Sequence, residues 1–428
     1  MAVTTADELL DRIALEAKEN TGELDLSGTN LDREVRLTKI PDDVFHLTHL
    51  RSLDISHQNI DSIPDDIVKL RNLASLKLNL NRLTSIPKCL STLPELRVLD
   101  IGHNRFDKFP EAVLKLSTLE SLDLSGHVGL GLPSEFQNLQ QLGSLALFGT
   151  KLEQLPSWFG EMTGLHTLYL DGNGFQSIPA AIFSLTALRI LSLAGNPLHE
   201  VDPRLSALTE LNILWLEDTG LSALPPELKK LTKLTNLYLH GRNRFAFIPE
   251  VIFELKALRT IDFSSRSDEH SNHISEVPRQ IIELPRLVRL DLQGNPIQSP
   301  PAEIVFRGIS AIREYFTQVS RSGEAFVFEA KLLIVGEPGA GKTSLMKKLV
   351  DPNYQLSDEE KSTEGIAISQ WKFNAGDGQD FIANIWRFRW SRNLSHYASI
   401  CSHQEVFIPL GGRRSQGRHR FLLLVTYY

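Results

Sequence analysis

The sequence predicts an α/β protein in two parts, a solenoid of stacked repeats followed by a smaller domain built on an open sheet. Leucines recur every 23 residues through most of the first three hundred positions. After them, a glycine-rich segment lies between a strand-like and a helix-like run. Periods of roughly 20–50 residues are typical of repeat architectures. A chain of 428 residues is also long for one compact domain, so two or three domains are expected.

Nine leucines keep one 23-residue register and define the repeat: Leu50, Leu73, Leu96, Leu119, Leu142, Leu165, Leu188, Leu211 and Leu234. Leu258 and Leu287 continue the series after insertions, and each leucine opens the pattern L-x-x-L-x-L. This is the pattern of a leucine-rich repeat. Because one repeat cannot bury its own leucines, neighbours should stack into a horseshoe-shaped solenoid whose short parallel strands line a concave face.

The repeats set the first three boundaries. Residues 1–23 are expected to form an amphipathic capping helix, residues 24–301 the leucine-rich repeats, and residues 302–324 a closing helix and linker. Asparagines at one phase of the repeat should turn inward and bond the backbone of adjacent turns. They are Asn81, Asn104, Asn173, Asn196 and Asn295. In other repeats the same position is occupied by His127, Thr150 and Thr219.

Large aromatic residues occupy outward strand positions in the middle repeats, namely Phe148, Tyr169, Trp215 and Tyr238. Asp171, Glu217 and His240 lie one step along the same strands. Exposed aromatic residues anchor protein partners, so the concave face is predicted to bind a protein. The alternative is a set of ordinary solvated side chains.

A second motif follows the repeats and fits the phosphate-loop pattern G-x-x-x-x-G-K-[ST]. It comprises Gly336, Glu337, Pro338, Gly339, Ala340, Gly341, Lys342, Thr343 and Ser344. Small residues let successive backbone N–H groups surround phosphates, and the following helix presents its positive end to them. Lys342 is expected to reach the outer phosphates, and Thr343 to bind Mg²⁺ through its hydroxyl. A chance glycine turn is the alternative.

Charge, cysteine content and apolar runs limit the partners and the cellular compartment that the sequence allows. The formal net charge is −7 without a basic cluster, which argues against nucleic acid as a partner. Cys89 and Cys401 form neither a metal pattern nor a disulfide framework, as expected in a reducing compartment. No apolar run approaches the length of a transmembrane segment, so a cytoplasmic protein is expected.

The order of these parts resembles the Roco family, in which leucine-rich repeats precede a Roc domain, a Ras-like GTPase. The resemblance rests on the repeats, on Glu329 to Gly336 leading into the phosphate loop, and on Ser362-Thr363-Glu364-Gly365-Ile366. It implies a P-loop Ras-like α/β fold that binds GTP/GDP and Mg²⁺. It also implies GTP hydrolysis by the intact family member and a switch role for Thr363, which would meet Mg²⁺ and the γ-phosphate.

The resemblance breaks after Trp386. The family carries Asp-Phe-Gly-Gly-Gln-Glu there, whereas this chain continues with Arg387, Phe388 and Arg389. The guanine-reading motif and the dimerising domain that follow in the family are not found. Possible codons from Arg387 onward, read one base later, restore the family string. We therefore predict a frame shift after Trp386, with a diverged domain as the alternative.

Two further boundaries follow from that break. Residues 325–386 are predicted to form a partial Roc domain, and residues 387–428 an aberrant, disordered tail. A parallel sheet needs both of its faces buried, and strands that have lost their later neighbours are not buried in this way. We therefore expect this domain to be weakly stabilised and to bind nucleotide weakly or not at all.

Three functions remain open from the sequence. The first is a Roco-type GTP/GDP switch whose repeats recognise a protein. The second is a non-enzymatic scaffold that carries a non-functional Roc remnant. The third and weakest is an ATPase, because the loop reads phosphates and not the base.

Overall fold

The computed structural model describes residues 6–29, 35–265, 272–322, 329–336, 342–355, 367–374, 380–389, 405–413 and 418–427. The chain divides into two compact units, Met1–Ser320 and Arg321–Tyr428.

The first unit is a parallel sheet of twelve strands, each paired with the next along the chain. The strands are β1 Glu23–Asp25, β2 Ser52–Asp54, β3 Ser75–Lys77, β4 Val98–Asp100, β5 Ser121–Asp123, β6 Ser144–Ala146, β7 Thr167–Tyr169, β8 Ile190–Ser192, β9 Ile213–Trp215, β10 Asn236–Tyr238, β11 Thr260–Asp262 and β12 Arg289–Asp291. The register is constant, with Leu191 opposite Leu168 and Leu214. This is the solenoid that the leucine period predicts.

Short 3₁₀ helices return the chain between successive strands. They span Asp42–His46, Asp65–Lys69, Lys88–Thr92, Glu111–Lys115, Ser134–Asn138, Ser157–Glu161, Ala180–Ser184, Pro203–Ala207, Pro226–Lys230, Glu250–Glu254 and Arg279–Glu283. The periodic prolines stand immediately before most of them, as Pro179 does before Ala180–Ser184. Proline has no N–H to donate and holds φ near the helical value, so it suits the residue at which such a turn starts.

One continuous apolar core runs through the first unit. The middle residue of each strand points into it, and Leu53, Leu168, Leu191 and Leu214 are fully buried. Each repeat therefore buries its leucines against its neighbours, as stacking requires.

A ladder of buried asparagines connects adjacent turns. Asn196 donates to the carbonyls of Leu170 and Leu193, both at 2.9 Å, and accepts from the N–H of Phe175. The other four asparagines predicted for this ladder make the same kinds of bond. His127, Thr150 and Thr219 bond backbone carbonyls at the same phase. The predicted ladder is confirmed.

Three further amides belong to the ladder and were missed from the sequence: Gln58, Asn243 and Asn272. Asn243 and Asn272 follow insertions that shift them from the 23-residue phase. Gln58 reaches the same backbone groups with a longer side chain.

Helices close both ends of the first unit. Helix α1, Ala6–Glu19, buries Leu9 and Ile13 against the first repeat. The buried Glu16 carboxylate accepts from the N–H of Gly22 at 2.8 Å and contacts His49 Nε2 at 2.7 Å. At the other end lie α2, Ala302–Val305, and α3, Ile309–Ser322.

The second unit is a five-stranded mixed sheet with one described helix. Its strands are β13 Glu329–Gly336, β14 Ala367–Asn374, β15 Asp380–Arg389, β16 Glu405–Arg413 and β17 Arg418–Tyr427, in the order β14-β15-β13-β17-β16. Strands β13 and β15 are parallel, and the other pairs are antiparallel. Helix α4, Lys342–Val350, packs through Met346 on Leu332, Ile334 and Ile385.

The structure differs from the sequence prediction after Trp386. Strand β15 runs on to Arg389, and β16 and β17 lie in the segment for which disorder is predicted. Both added strands contain apolar, strand-favouring runs, such as Phe421 to Val425. Strand β17 pairs with the edge of β13, whose backbone groups would otherwise lack partners on that side. The expectation of disorder is therefore wrong for these two strands.

Candidate functional site

The phosphate-loop motif has a strand before it and a helix after it. Strand β13 ends at Gly336, and α4 begins at Lys342. Lys342 is buried, and Thr343 and Ser344 are half-buried in the first turn of the helix. The first N–H groups of a helix have no partners within it, so this turn can donate to an anion.

The remaining residues of the predicted site, 337–341 and Thr363, lie outside the described residues. The described part therefore fixes where the loop starts and ends.

Strand β15 ends beside the same loop. Its parallel register with β13 sets Arg387 opposite Ile334 and Arg389 opposite Gly336. In open α/β sheets, ligands bind outside the carboxyl ends of parallel strands. The backbone thus brings the two arginine positions to the edge of the sheet where the loop begins, and neither supplies the carboxylate that the family has there.

Three of the four predicted partner-binding residues meet on the outward side of the twelve-stranded sheet, which we call the sheet face. The rings of Tyr169 and Trp215 lie 6.1 Å apart between centroids at 42°. Those of Trp215 and Tyr238 lie 5.5 Å apart and are stacked at 9°. We call these three residues the aromatic stack.

Phe148 is separate from the aromatic stack. It is 46% exposed, and its ring packs against His103 with centroids 6.2 Å apart. The sequence grouped it with the other three because it lies in a neighbouring repeat. In the structure it lies beyond the end of β6, two residues after Ala146, and Ala146 is the residue opposite Tyr169.

Carboxylates and one histidine border the aromatic stack. Ser192 donates a hydrogen bond to Asp171, and His240 Nδ1 lies 3.7 Å from Asp262 Oδ2. Glu217 Oε2 and His240 Nδ1 are buried and make no hydrogen bond within the described structure. The sequence places these residues on the face but gives no signal that two of their polar atoms are buried.

Burial and neighbouring charges shift the pKa values of two carboxylates beside the aromatic stack, Glu217 and Asp171. Burial raises the pKa of Glu217, the His240 charge opposes the rise, and the Asp171 charge adds to it. Burial also raises the pKa of Asp171, against the bond from Ser192. Both carboxylates are therefore costly to ionise without a nearby positive charge.

A second acidic group occupies the earlier strands of the sheet face. Asp54, Asp100 and Asp123 share the same outward position, and Lys77 lies between the first two. Burial and the Asp123 charge raise the pKa of Asp100 to about 7. No aromatic residue occupies this position in β2 to β5.

Comparison with known families covers both units. The leucine rich repeat family matches residues 23–83, 48–106 and 71–127. The family described as Ras of Complex, Roc, domain of DAPkinase matches residues 331–401. The chain has a Roco-type architecture. The Roc match contains the phosphate loop and all of β14 and β15, and it extends beyond Trp386.

Individual relatives match this chain over limited segments. The probable serine/threonine-protein kinase pats1 of Dictyostelium discoideum is 39% identical over 93 residues, which are 21% of this chain and 3% of that protein. A Roc-COR-CHAT protease of an unknown prokaryotic organism is 28% identical over 135 residues, 28% of this chain and 13% of that protein. The chain thus spans a small part of the length of these relatives.

A solved structure supports the repeat fold. An LRR protein of Leptospira interrogans matches with a TM-score of 0.52 and 28% identity, covering 64% of this chain and 74% of that one. The first unit is accordingly a leucine-rich-repeat solenoid.

Among the described residues, no helix combines the length and apolar character needed to cross a bilayer. Within the same ranges, no group of three or more histidine, cysteine or acidic side chains is arranged to hold a metal ion.

Proposed function

We propose that the chain is a guanine-nucleotide-binding protein of Roco type, whose repeats recognise a protein partner. The observation that carries the nucleotide part is the passage from β13 into α4 across the phosphate-loop motif, within a segment that matches the Roc family. Preference for guanine rests on that match.

Lys342, Thr343 and Ser344 would hold the phosphates in this proposal. The buried position of Lys342 at the start of α4 suits a fixed charge that faces an anion. Phosphoryl transfer depends on positioning and charge neutralisation, which a lysine and a helix N-terminus provide. When bound, Mg²⁺ would neutralise phosphate charge, with Thr343 and Thr363 as its hydroxyl ligands.

The fit to Mg²⁺ is incomplete, and this shapes the expected activity. Arginines stand at the end of β15, where the family has an aspartate that supports the ion. We expect weak nucleotide binding that depends little on Mg²⁺, and GTP hydrolysis at a low rate.

Equilibrium binding of labelled GTP and GDP to the purified full chain tests the proposal. Lys342→Ala should weaken binding by about 100-fold, because it removes a charge-assisted contact worth about 3 kcal/mol. Lys348→Ala is the matched control, since Lys348 is exposed in the last turn of the same helix. Folded protein without measurable GTP binding would favour the scaffold, and equal binding of ATP would remove the guanine preference.

The partner surface in this proposal is the sheet face at the aromatic stack. Its three aromatic residues are half-buried. Clustered aromatic residues are the usual energetic centre of protein interfaces. Replacing Tyr169, Trp215 and Tyr238 together with alanine should abolish capture of a partner by the full chain. The same treatment of Phe148, which lies outside the stack, should have a smaller effect.

We also propose that the sequence after Trp386 reflects a shifted reading frame. The support is the departure at Arg387 within a segment that otherwise follows the Roc pattern. Genomic and transcript sequence across the Trp386 codon decides it. Codons that cannot yield Asp-Phe-Gly-Gly in the neighbouring frame would refute the shift and leave a diverged domain.

A further inference from the structure

Three ionisable side chains lie on neighbouring repeats beside the aromatic stack. Glu217 comes two residues after β9, His240 comes two residues after β10, and Asp262 is the last residue of β11. The N–H of Asp218 donates to the carbonyl of His240 at 3.1 Å, so the first two segments run side by side. We call Glu217, His240 and Asp262 the His240 cluster. Because its members come from three consecutive repeats, interactions within the cluster act on the spacing of those repeats.

The His240 cluster is largely buried, and two of its polar atoms make no hydrogen bond to any described residue: Glu217 Oε2 and His240 Nδ1. His240 Nδ1 lies 3.7 Å from Asp262 Oδ2, which is longer than a hydrogen bond. The side chains of His240 and Asp262 are 21% and 13% exposed. Buried polar atoms are seldom left without partners, so attraction between opposite charges has to offset the missing hydrogen bonds here.

The surroundings of the His240 cluster make the charge of His240 important. Burial raises the pKa of Glu217, and the positive charge of His240 lowers it. The other charged side chains around the cluster come from the same and the neighbouring repeats, and they are Asp171, Asp218, Arg289 and Asp291. The first two add negative charge beside Glu217, and the last two pair with each other at 2.9 Å. A neutral His240 would leave Glu217 and Asp262 as buried like charges.

The His240 cluster and the aromatic stack share their backbone segments. Trp215 precedes Glu217 by two residues, and Tyr238 precedes His240 by two residues. Asp262 is the residue opposite Tyr238 in the register of β10 and β11. A change in the spacing of these segments therefore changes the distance between the Trp215 and Tyr238 rings, which is 5.5 Å between centroids in the stacked arrangement.

We propose that His240 is a positioning residue for the aromatic stack, and that its proton makes the stack sensitive to pH. A protonated His240 attracts Glu217 and Asp262, and this holds the three repeats at the spacing at which Trp215 and Tyr238 stack. The proposal rests on the partner role of the sheet face argued above. It adds that partner binding weakens as pH rises.

The sign of this effect follows from the charges. Histidine ordinarily changes its charge between about pH 5 and 8. Loss of the His240 proton leaves two buried carboxylates without a cation between them, and breaking a buried charge pair on one side is strongly unfavourable. The stabilising contribution is therefore present at the acidic end of this range and is lost as pH rises.

Fluorine NMR of the full chain labelled with 5-fluorotryptophan reports directly on the Trp215 ring. Trp215→Phe assigns its resonance among the five tryptophans. Between about pH 5 and 8 this resonance should shift, because the Tyr238 ring moves relative to Trp215. Hydrogen-exchange protection of the Asp218 amide, corrected for its intrinsic rate, should fall about tenfold over the same range. A shifting resonance with constant protection would reflect charge alone and overturn the positioning role.

His240→Gln removes the ionisation and should abolish both changes. Glu217→Gln keeps the shape of its side chain and should reduce both changes, which gives a second test if His240→Gln does not fold. His103→Gln is the matched control, because His103 is an exposed histidine that packs against Phe148 outside the aromatic stack. It should leave both changes intact.

Three results of these variants would overturn the proposal. Changes that persist in His240→Gln would belong to another ionisable group. Changes of unaltered size in Glu217→Gln would show that the carboxylate takes no part. Loss of both changes in His103→Gln would show that the effect is not confined to the His240 cluster.

Failure of this proposal can be separated from failure of the partner role, because neither readout uses a partner. If the triple aromatic variant loses its partner while both readouts stay constant with pH, only the role of His240 falls. If that variant keeps its partner, the partner role falls, whatever the two readouts show.

Discussion

The two units of this chain differ in how far apart in sequence their paired strands are. In the first unit every strand pairs with the next one along the chain, so each repeat depends on its immediate neighbours. In the second unit Leu332 of β13 pairs with Ile385 on one side and Val425 on the other. A solenoid is therefore specified repeat by repeat, whereas the second unit requires distant segments to meet.

The apolar cores of the two units also differ in extent. The buried cluster of the first unit extends from Leu9 to Ile312 without interruption. The buried apolar side chains described in the second unit are Leu332, Ile334, Met346 and Ile385. The second unit should therefore tolerate the loss of one core side chain much less well.

The largest expected effect comes from matched core truncations. Ile334→Ala and Leu191→Ala each remove a fully buried side chain in the middle of a strand. Each should cost about 2–5 kcal/mol. We expect Ile334→Ala to unfold the second unit while the repeats stay intact, and Leu191→Ala to weaken the repeats without unfolding them.

Hydrogen exchange on the full chain measures this difference. Protection should disappear in residues 329–336 of Ile334→Ala and persist in the strands of the repeats. Leu191→Ala should lower protection mainly in β7 to β9. Loss of protection throughout the repeats in Leu191→Ala, with an ordered second unit in Ile334→Ala, would reverse the comparison.

A smaller effect is expected from the asparagine ladder. Asn196→Ala leaves the N–H of Phe175 and the carbonyls of Leu170 and Leu193 buried without their partner. The expected loss is about 2–3 kcal/mol, measured by urea unfolding. Asn138→Ala, at an exposed position after the fifth repeat strand, is the control and should change stability by less than about 0.5 kcal/mol.

Much of the first unit could be predicted because its geometry follows from one period. The register fixed the buried leucine of each strand and the ladder asparagines at the same phase. It failed at Asn243 and Asn272, where insertions change the spacing although the backbone groups to be satisfied remain. The 23-residue period predicts only the positions that keep its spacing. The ladder residues that follow an insertion could be located only from the structure.

The candidate sites also contain some features that the local sequence predicts and others that it does not. The order of strand, loop and helix around Lys342 follows from a local motif and was predictable. The aromatic stack was predictable from outward strand positions, but its closure above Ser192 depends on a small residue in the strand between. The pairing of β17 with β13 joins residues far apart in the chain, and no local pattern indicates it.

The smallest effect concerns the acidic strands of the sheet face, and it has a defined pH dependence. Burial and the charges of Asp123 and Asp54 raise the pKa of Asp100 to about 7, against the Gly102 N–H and Lys77. The folded state therefore binds this proton more tightly than the unfolded chain, where the ordinary value is near 3.8. Stability should fall as pH rises from about 4 to about 7, and stay level above it.

Asp100→Asn removes this ionisation and tests the sign. At pH 8 the variant should be more stable than the unaltered chain by on the order of 2 kcal/mol, allowing for solvent at the sheet face. At pH 4 the two should differ little, because Asp100 is protonated when folded. Asp107→Asn, at an exposed position, is the control and should leave the pH profile of urea unfolding unchanged. Lower stability of Asp100→Asn at pH 8 would mean that the Asp100 carboxylate is favourably paired rather than crowded by Asp123.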